Sequence, residues 1–297
     1  MHDVIVIGGR FAGHSAAMQL ARASKSVLLI DSGSPRNRFA EGVHGFLGQD
    51  GRPPRDIMMF ASTELLAYPS AATLHAEVTS VVRMDKGFRL NLSNGDERQA
   101  LRLVLATGVS DDLPPLPGLK ERWGKTVLHC PYCHGYEVKG RALGVIANNP
   151  MSAHHAALIS DWGPVTYFTQ GPLDSDEATH ALLAKRNVAI EQSPIIELFG
   201  TAPQLEAVRL DDGRKLAIDV LFTASRTRMS SPLAEQLGCA FEEGPTGPYI
   251  KVDLWGLTSV PHVYAAGDAT TPMHNATLAA GSGVIAGVGA HQSLVFE

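Results

Sequence analysis

The first 31 residues constrain this chain more than any other stretch. Val4-Ile5-Val6-Ile7 is a short β-branched apolar run, the kind that fills a parallel strand buried on both faces. Gly8-Gly9-Arg10-Phe11-Ala12-Gly13 follows, then a segment with Ala16, Ala17, Leu20 and Ala21 at helical spacing. A second apolar run, Val27 to Ile30, ends in Asp31. Strand, glycine turn, helix and strand within about 30 residues predict a βαβ unit. Its turn presents backbone N–H groups to a pyrophosphate, and the helix N-terminus adds a favourable potential. A carboxylate closing the second strand suits ribose hydroxyls. On this reading Gly8, Gly9, Ala12, Gly13 and Asp31 hold a dinucleotide. The alternative is a tight turn with no ligand. Arg10 occupies the place of the second glycine in G-x-G-x-x-G, so either the phosphates sit further out or its side chain points away.

The remaining pattern extends the α/β reading. Pro53 to Leu66 predicts a helix, and Thr73 to Arg83, Phe88 to Leu92 and Gln99 to Leu105 predict strands, with a hairpin turn at Asn94-Gly95. After Ala106-Thr107-Gly108 the Pro-rich run Leu113 to Gly118 marks a crossing. A second α/β region follows: strand Ala142–Ala147, helix Met151–Trp162, strand Val165–Phe168 and a hairpin at Asp211-Asp212-Gly213. The Gly/Pro cluster Gly244 to Pro248 marks the return. Strand Val263–Ala266, the Gly267-Asp268 turn and a helix from Asn275 to about Leu294 close the chain. The expected fold is α/β, with two Rossmann-like three-layer domains, the second inserted in the first. Residues 1–115 and 245–297 form the discontinuous dinucleotide domain, and 116–244 the inserted one.

The chain's 297 residues suffice for two cores, and 44% hydrophobic against 19% charged residues describe a globular protein. A net charge of -5 argues against broad nucleic-acid binding. The longest apolar stretch, Leu278 to Val288, is interrupted by glycines and falls short of the roughly 20 residues of a membrane span, so no membrane partner is expected. Asp3 and the early glycines do not fit a secretion signal, and the expected location is the cytoplasm.

The chemistry concentrates in His129-Cys130-Pro131-Tyr132-Cys133-His134-Gly135-Tyr136-Glu137. Cysteines three apart on a helical turn share a face and can close a disulfide. Pro131 suits the first helical position, which puts Cys130 at the N-cap, where the helix end favours thiolate. Four readings remain open: a redox-active pair, a structural zinc site lacking a second C-x-x-C, a C-x-x-C-H haem attachment, and an inert buried pair. No metal site is expected. Cys239, alone in the sequence, suits core packing.

The glycine turn, Ala106-Thr107-Gly108, the inserted C-x-x-C and Tyr264-Ala265-Ala266-Gly267-Asp268 occur in an order that resembles the low-molecular-weight thioredoxin reductases over essentially the whole chain. The resemblance implies FAD as cofactor, with Thr107, Gly108, Gly267 and Asp268 joining its site and Asp268 near the ribityl and phosphate region. It implies Cys133 as the flavin-proximal sulfur and Cys130 as the exchanging one, and a homodimer. Two departures bear on the reaction. Those reductases typically carry Asp after the second cysteine, and this chain has His134. Cys-Pro-Tyr-Cys-His-Gly-Tyr-Glu is more similar to the dithiol oxidases of gliotoxin, holomycin and romidepsin biosynthesis, which close disulfides in small molecules and pass electrons through FAD to an acceptor, often oxygen. His134 suits a general base on a substrate thiol, or a surface histidine near the helix start. His129 is read as either support or surface, and by analogy His44 and His274 approach the flavin.

The second departure is at the nicotinamide site. Asn148-Asn149-Pro150-Met151-Ser152-Ala153 has no glycine where the reductases carry a glycine-rich turn, and Thr169 to Glu177 has three acids and no base where they carry arginines. Loss of two charge-assisted phosphate bonds, ~1.5–3 kcal/mol each, weakens NADPH by roughly two to four powers of ten. A second flavin or another nucleotide could occupy that βαβ shape. The leading reading is therefore an FAD-dependent thiol/disulfide oxidoreductase, run as a dithiol oxidase, with Cys130, Cys133 and His134 as catalytic residues. Its rivals are a reductase of a thioredoxin-like protein or small disulfide, fed by NAD(P)H, a second flavin or a protein donor, and a non-enzymatic flavin or haem redox protein.

Overall fold

The computed structural model describes residues 1–172 and 176–297. The chain opens with β1 (His2–Ile7), α1 (Phe11–Arg22) and β2 (Val27–Asp31). It continues through α2 (Pro54–Leu66), β3 (Ala71–His75), β4 (Val78–Arg83), β5 (Phe88–Leu92) and β6 (Glu97–Leu105), and leaves along β7 (Val109–Asp112). Then come β8 (Val127–Leu128), α3 (Pro131–His134), β9 (Leu143–Ile146), α4 (Ser152–Ile159), β10 (Val165–Phe168), α5 (Glu177–Lys185) and β11 (Ala189–Glu191). β12 (Ile195–Phe199), β13 (Ala207–Leu210), β14 (Lys215–Ala217) and β15 (Val220–Phe222) complete that excursion. The chain returns along β16 (Arg226–Met229) and ends with α6 (Leu233–Gln236), β17 (Phe241–Gly244), β18 (Gly247–Ile250), β19 (Val263–Ala265) and α7 (Ala276–Phe296).

These elements form two compact units. One holds residues 1–38, 46–111 and 227–297, the other 39–45 and 112–226. The chain thus crosses after 111 and returns after 226, where the sequence placed the cuts after 115 and 244. Residues 227–244 stay with the first unit because Met229, Leu233, Ala234 and Cys239 are buried in the same core as Ile5, Leu90 and Leu103. The Gly/Pro cluster is instead the tight turn of the antiparallel β17–β18 hairpin. The long strand expected over Thr73–Arg83 is two strands. β3 pairs parallel to β2, whereas β4 pairs antiparallel to β5. The break at Ala76-Glu77 switches partners, with the Ala76 N–H donating to the Asp31 carbonyl and the Ser93 N–H to the Glu77 carbonyl.

In the first unit β3, β2, β1 and β6 run parallel in that order, with β19 also parallel on β6 and the β5–β4 ribbon antiparallel beyond. The unbroken apolar run of β1 follows from burial on both faces. Ile5 and Ile7 pack toward Leu90 and Leu103, while Val4 and Val6 pack toward Ala16, Leu20 and Ala286. The second unit has a parallel sheet in the order β11-β10-β9-β15-β8, beside an antiparallel β12–β13–β14 ribbon. Its irregular connections are held by the buried Arg122 guanidinium, which donates to the carbonyls of Gly118, Gly200 and Gln204.

α7 spans 21 residues and is long and apolar enough, by length and composition, to cross a bilayer. This corrects the shorter stretch read from the sequence, where glycines counted as interruptions. In the fold two of them are contact points. A Cβ at Gly283 would lie 2.1 Å from the Ala12 carbonyl oxygen, and one at Gly287 would lie 2.7 Å from that of Ala16. Asn275 caps the helix, its Oδ1 accepting from the N–H groups of Thr277 and Leu278. Gly283→Ala forces α1 and α7 apart and should lower stability by roughly 1–3 kcal/mol. Gly281→Ala, whose Cβ meets nothing within 4 Å, should be neutral or stabilising by up to about 1 kcal/mol. Chemical denaturation of the two variants checks the contrast.

Candidate active site

The carboxyl ends of β1, β6 and β19 lie side by side, with Ile7 and Ala265 both opposite Leu105. This register gathers the expected cofactor residues. Gly8 follows β1 at φ +106°, and a Cβ there would meet the Ala106 carbonyl oxygen at 2.2 Å and the Thr107 nitrogen at 3.2 Å. Gly13 packs so that a Cβ would fall 1.7 Å from the Gly8 carbonyl oxygen. One on Gly267 would fall 2.9 Å from the Cβ of Ala12. Gly108 has φ +66° and open space where a Cβ would be. The Gly9 N–H donates to Asp31 Oδ1 at 3.1 Å, which fixes the carboxylate expected at the ribose.

Arg10, the departure from the glycine pattern, is the N-cap of α1 and makes no side-chain cap bond there. Its guanidinium turns aside to Asp31, with Nη2 3.4 Å from Oδ2, and so leaves the helix end uncovered. A cleft of about 450 Å³ opens beside this pair, lined by Gly9, Arg10, His14, Asp31, Met58 and His75 among others. Arg10 Nε is buried there without a hydrogen-bond partner. A backbone-only turn, an uncapped helix N-terminus, a placed carboxylate and an unsatisfied cationic donor fit the phosphates and ribose of a dinucleotide.

Arg36 was missed by the sequence reading, since a lone arginine in a loop carries no spacing signal. Its Nε and Nη2 donate to the two Asp111 oxygens at 2.9 and 2.6 Å, and Nη1 donates to Asp268 Oδ2 at 3.3 Å. Burial opposes its charge most strongly, but the hydrogen bonds and charges of Asp111 and Asp268 together outweigh that and raise its pKa. His274 lies in the same cluster. Burial pushes its pKa below the ordinary value, with Asp268 pulling the other way.

In the second unit Cys130 and Cys133 form a disulfide, with Cα atoms 5.3 Å apart. Cys130 is the N-cap of α3 and Pro131 its first residue, as the Cys-Pro sequence implied. Gly135 is required by the fold, because a Cβ would press 2.6 Å against the Pro131 carbonyl oxygen and the Trp162 ring. The His134 ring is held below the ordinary histidine pKa by burial, with Glu137 raising it and His44 lowering it. Near neutral pH this favours the neutral imidazole, the form that accepts a proton. His129 stacks on Trp123 at 5.7 Å between ring centroids, a supporting contact. His44 Nδ1 lies 3.5 Å from Glu137 Oε1 in this unit. Cys239 is a buried free thiol whose burial raises its pKa. Among the described residues no group of three or more His, Cys, Asp or Glu could hold a metal ion.

A dinucleotide cradle in one unit and a helix-start C-x-x-C disulfide in the other define the class: an FAD-dependent oxidoreductase acting on thiols and disulfides. The model of the family described as pyridine nucleotide-disulphide oxidoreductase matches residues 2–283, and the chain belongs to that family. It is 30% identical to the thioredoxin reductase tcpT of Claviceps purpurea (strain 20.1), over 99% of this chain and 95% of that relative. The crystal structure of an oxidoreductase from Agrobacterium tumefaciens superposes with a TM-score of 0.94 at 45% identity, covering 99% of each chain. That of HlmI gives 0.90 at 36%, covering 99% of this chain and 92% of the other. Membership implies FAD.

Arg36→Met leaves the Asp111 and Asp268 carboxylates without their shared cation. Breaking a buried pair on one side costs roughly 3–5 kcal/mol. The variant should be purified with less flavin and a lower melting temperature than the parent, checked by absorbance and thermal unfolding of the same sample.

Proposed function

We propose that this protein is a dithiol oxidase: it closes a disulfide in a small dithiol and hands the electron pair through FAD to oxygen or another acceptor. The observation that carries this reading is the state of the β9–α4 turn. The Asn148 and Asn149 N–H groups both donate to Ser152 Oγ at 3.2 Å, and the Met151 N–H donates to Asn149 Oδ1 at 2.8 Å. Asn148 Nδ2 donates to Thr223 Oγ1 and to the Ala224 carbonyl. In a nucleotide-binding turn such N–H groups point at the pyrophosphate; here side chains of the same turn satisfy them. After β10, Gln170 Oε1 accepts from the Ile195 N–H and Thr169 Oγ1 donates to the Gly171 carbonyl, with no cation among residues 169–172. Leu173, Asp174 and Ser175 of the acidic stretch lie outside the described residues. Asp176 caps α5 by accepting from the Thr179 N–H. These features support a chain that takes its electrons from a thiol substrate rather than from NADPH, and they disfavour a second nucleotide or flavin there.

On this reading a substrate thiolate attacks Cys130 and breaks the Cys130–Cys133 bond, leaving the electron pair on Cys133. The second substrate thiol then displaces Cys130 as the product disulfide closes. His134 takes the substrate proton. FAD, when bound, supplies the two-electron acceptor that restores the cysteine disulfide. The reading includes a homodimer, supported by the exposed apolar side chains Leu254, Trp255, Leu278 and Ile285 of the first unit. It also includes a cytoplasmic location. The test is an anaerobic titration of the bound flavin, with NADPH added before a small dithiol. NADPH should leave the colour unchanged, the dithiol should bleach it, and air should restore it. Bleaching by near-stoichiometric NADPH would instead identify a reductase, acting on a thioredoxin-like protein or small disulfide. Cys130→Ser should keep the flavin and lose at least about 10³-fold in dithiol turnover, since the covalent route is removed; full activity in that variant would refute the exchange step.

A further inference from the structure

Residues 39–45 group with the second unit although the residues on either side of them group with the first. Contacts at Lys125 and Gly124 help hold this excursion. Lys125 Nζ donates to Glu41 Oε1 at 2.7 Å, and Phe39 lies where a Cβ on Gly124 would be, 2.7 Å from it. The segment brings His44 to Glu137, with Nδ1 and Oε1 3.5 Å apart. Glu137 lies in the turn that follows α3, three residues after His134, and its charge acts on the His134 ring. Glu137 is exposed, and His44 and His134 are both partly buried.

We infer that His44 and Glu137 are positioning residues that act through His134, forming a relay by which the proton of a substrate thiol leaves the cysteine site for water. The inference rests on the proposed role of His134 as the base. The thiol proton moves to the His134 imidazole. The thiolate bonds to Cys130 Sγ as the Cys130–Cys133 bond breaks, with its electron pair on Cys133. When the second thiol closes the product, the dithiol has lost two electrons and two protons and the cysteine pair has gained the two electrons. Glu137 stabilises the imidazolium formed in between, and His44 passes the proton outward. Among the described residues, Glu137 and His44 are the charged groups that act on the His134 ring, in opposite directions: the carboxylate raises its pKa and a protonated His44 lowers it.

The test is the pH dependence of the first half-reaction in the flavin-loaded protein. Cys130–Cys133 is reduced anaerobically by dithiothreitol, and the electrons delivered are counted as bleached flavin plus the thiols freed to alkylation, read by absorbance and mass spectrometry. Variant and wild-type rates are divided at each pH, which cancels the ionisation of dithiothreitol itself. E137Q weakens the base: its ratio is below one on the plateau and rises toward acid pH, because His134 stays neutral further down. H44Q removes both the outward path and a neighbouring positive charge: its ratio is below one on the plateau and falls further toward acid pH. Each drift is about tenfold, as for a charge within ~6 Å of an ionising group. The double variant returns toward a flat ratio, and E137D restores most of the plateau rate. Flat ratios for both single variants, or drifts of the same sign, overturn the relay and leave only a structural role. The assay needs neither oxygen nor NADPH, so it stands apart from the flavin titration that decides between oxidase and reductase. If His134→Asn leaves the half-reaction unchanged at every pH, the base itself is wrong and the relay falls with it.

Discussion

Where β1, β6 and β19 end together, there is room for backbone and for nothing more. Gly8 lies against the Ala106 carbonyl, Gly13 against Gly8, Gly267 against Ala12, and Gly283 of α7 against Ala12 again. Each contact fails with a single added methyl group, because packed backbone cannot yield as a flexible side chain can. This close approach sets the angle of α1 on the sheet, seats α7 on α1, and brings the turns after three strands to one place. Asp31, Thr107 and Asp268 become neighbours of one cradle for that reason.

The two βαβ turns of the chain make an instructive pair. In the first, no side chain caps α1, and Arg10 is drawn off to Asp31. In the second, Ser152 Oγ accepts from the Asn148 and Asn149 N–H groups and Asn149 Oδ1 from that of Met151. The same backbone plan therefore carries different hydrogen-bond partners in the two units. In the first turn the Gly9 N–H is held by the strand-end carboxylate of Asp31, whereas in the second the N–H groups are held by side chains of the turn itself.

Charge placement separates the two units further. In the first, Arg36 sits between two carboxylates and stays charged despite burial. In the second, burial keeps His134 in the form that takes a proton. A lasting charge suits the holding of an anionic cofactor, and a titratable one suits the handling of a thiol. The proposed roles of Arg36 and His134 follow that division.

Much of this was legible in the residues. The β-branched run, the glycine turn and the terminal Asp31 announced the first βαβ unit, because a two-sided buried strand needs an unbroken apolar run. Cys-Pro-x-Cys announced a helix start with its cysteines on one face, because proline tolerates only that helical position. The strand break at Ala76-Glu77 was hidden, since β3 and β4 carry the same local pattern and differ only in partner. So was the return crossing at 226, where residues 227–244 join a core assembled from distant strands. Arg36 with Asp111 and Asp268, His44 with Glu137, and the closed Ser152 turn were invisible for one reason: each is a meeting of groups far apart in sequence, or a choice among hydrogen-bond partners that only packing makes. The sequence by itself determined the periodicities, the turns and the chemistry available. The tertiary structure decided which charges meet and which backbone groups remain free.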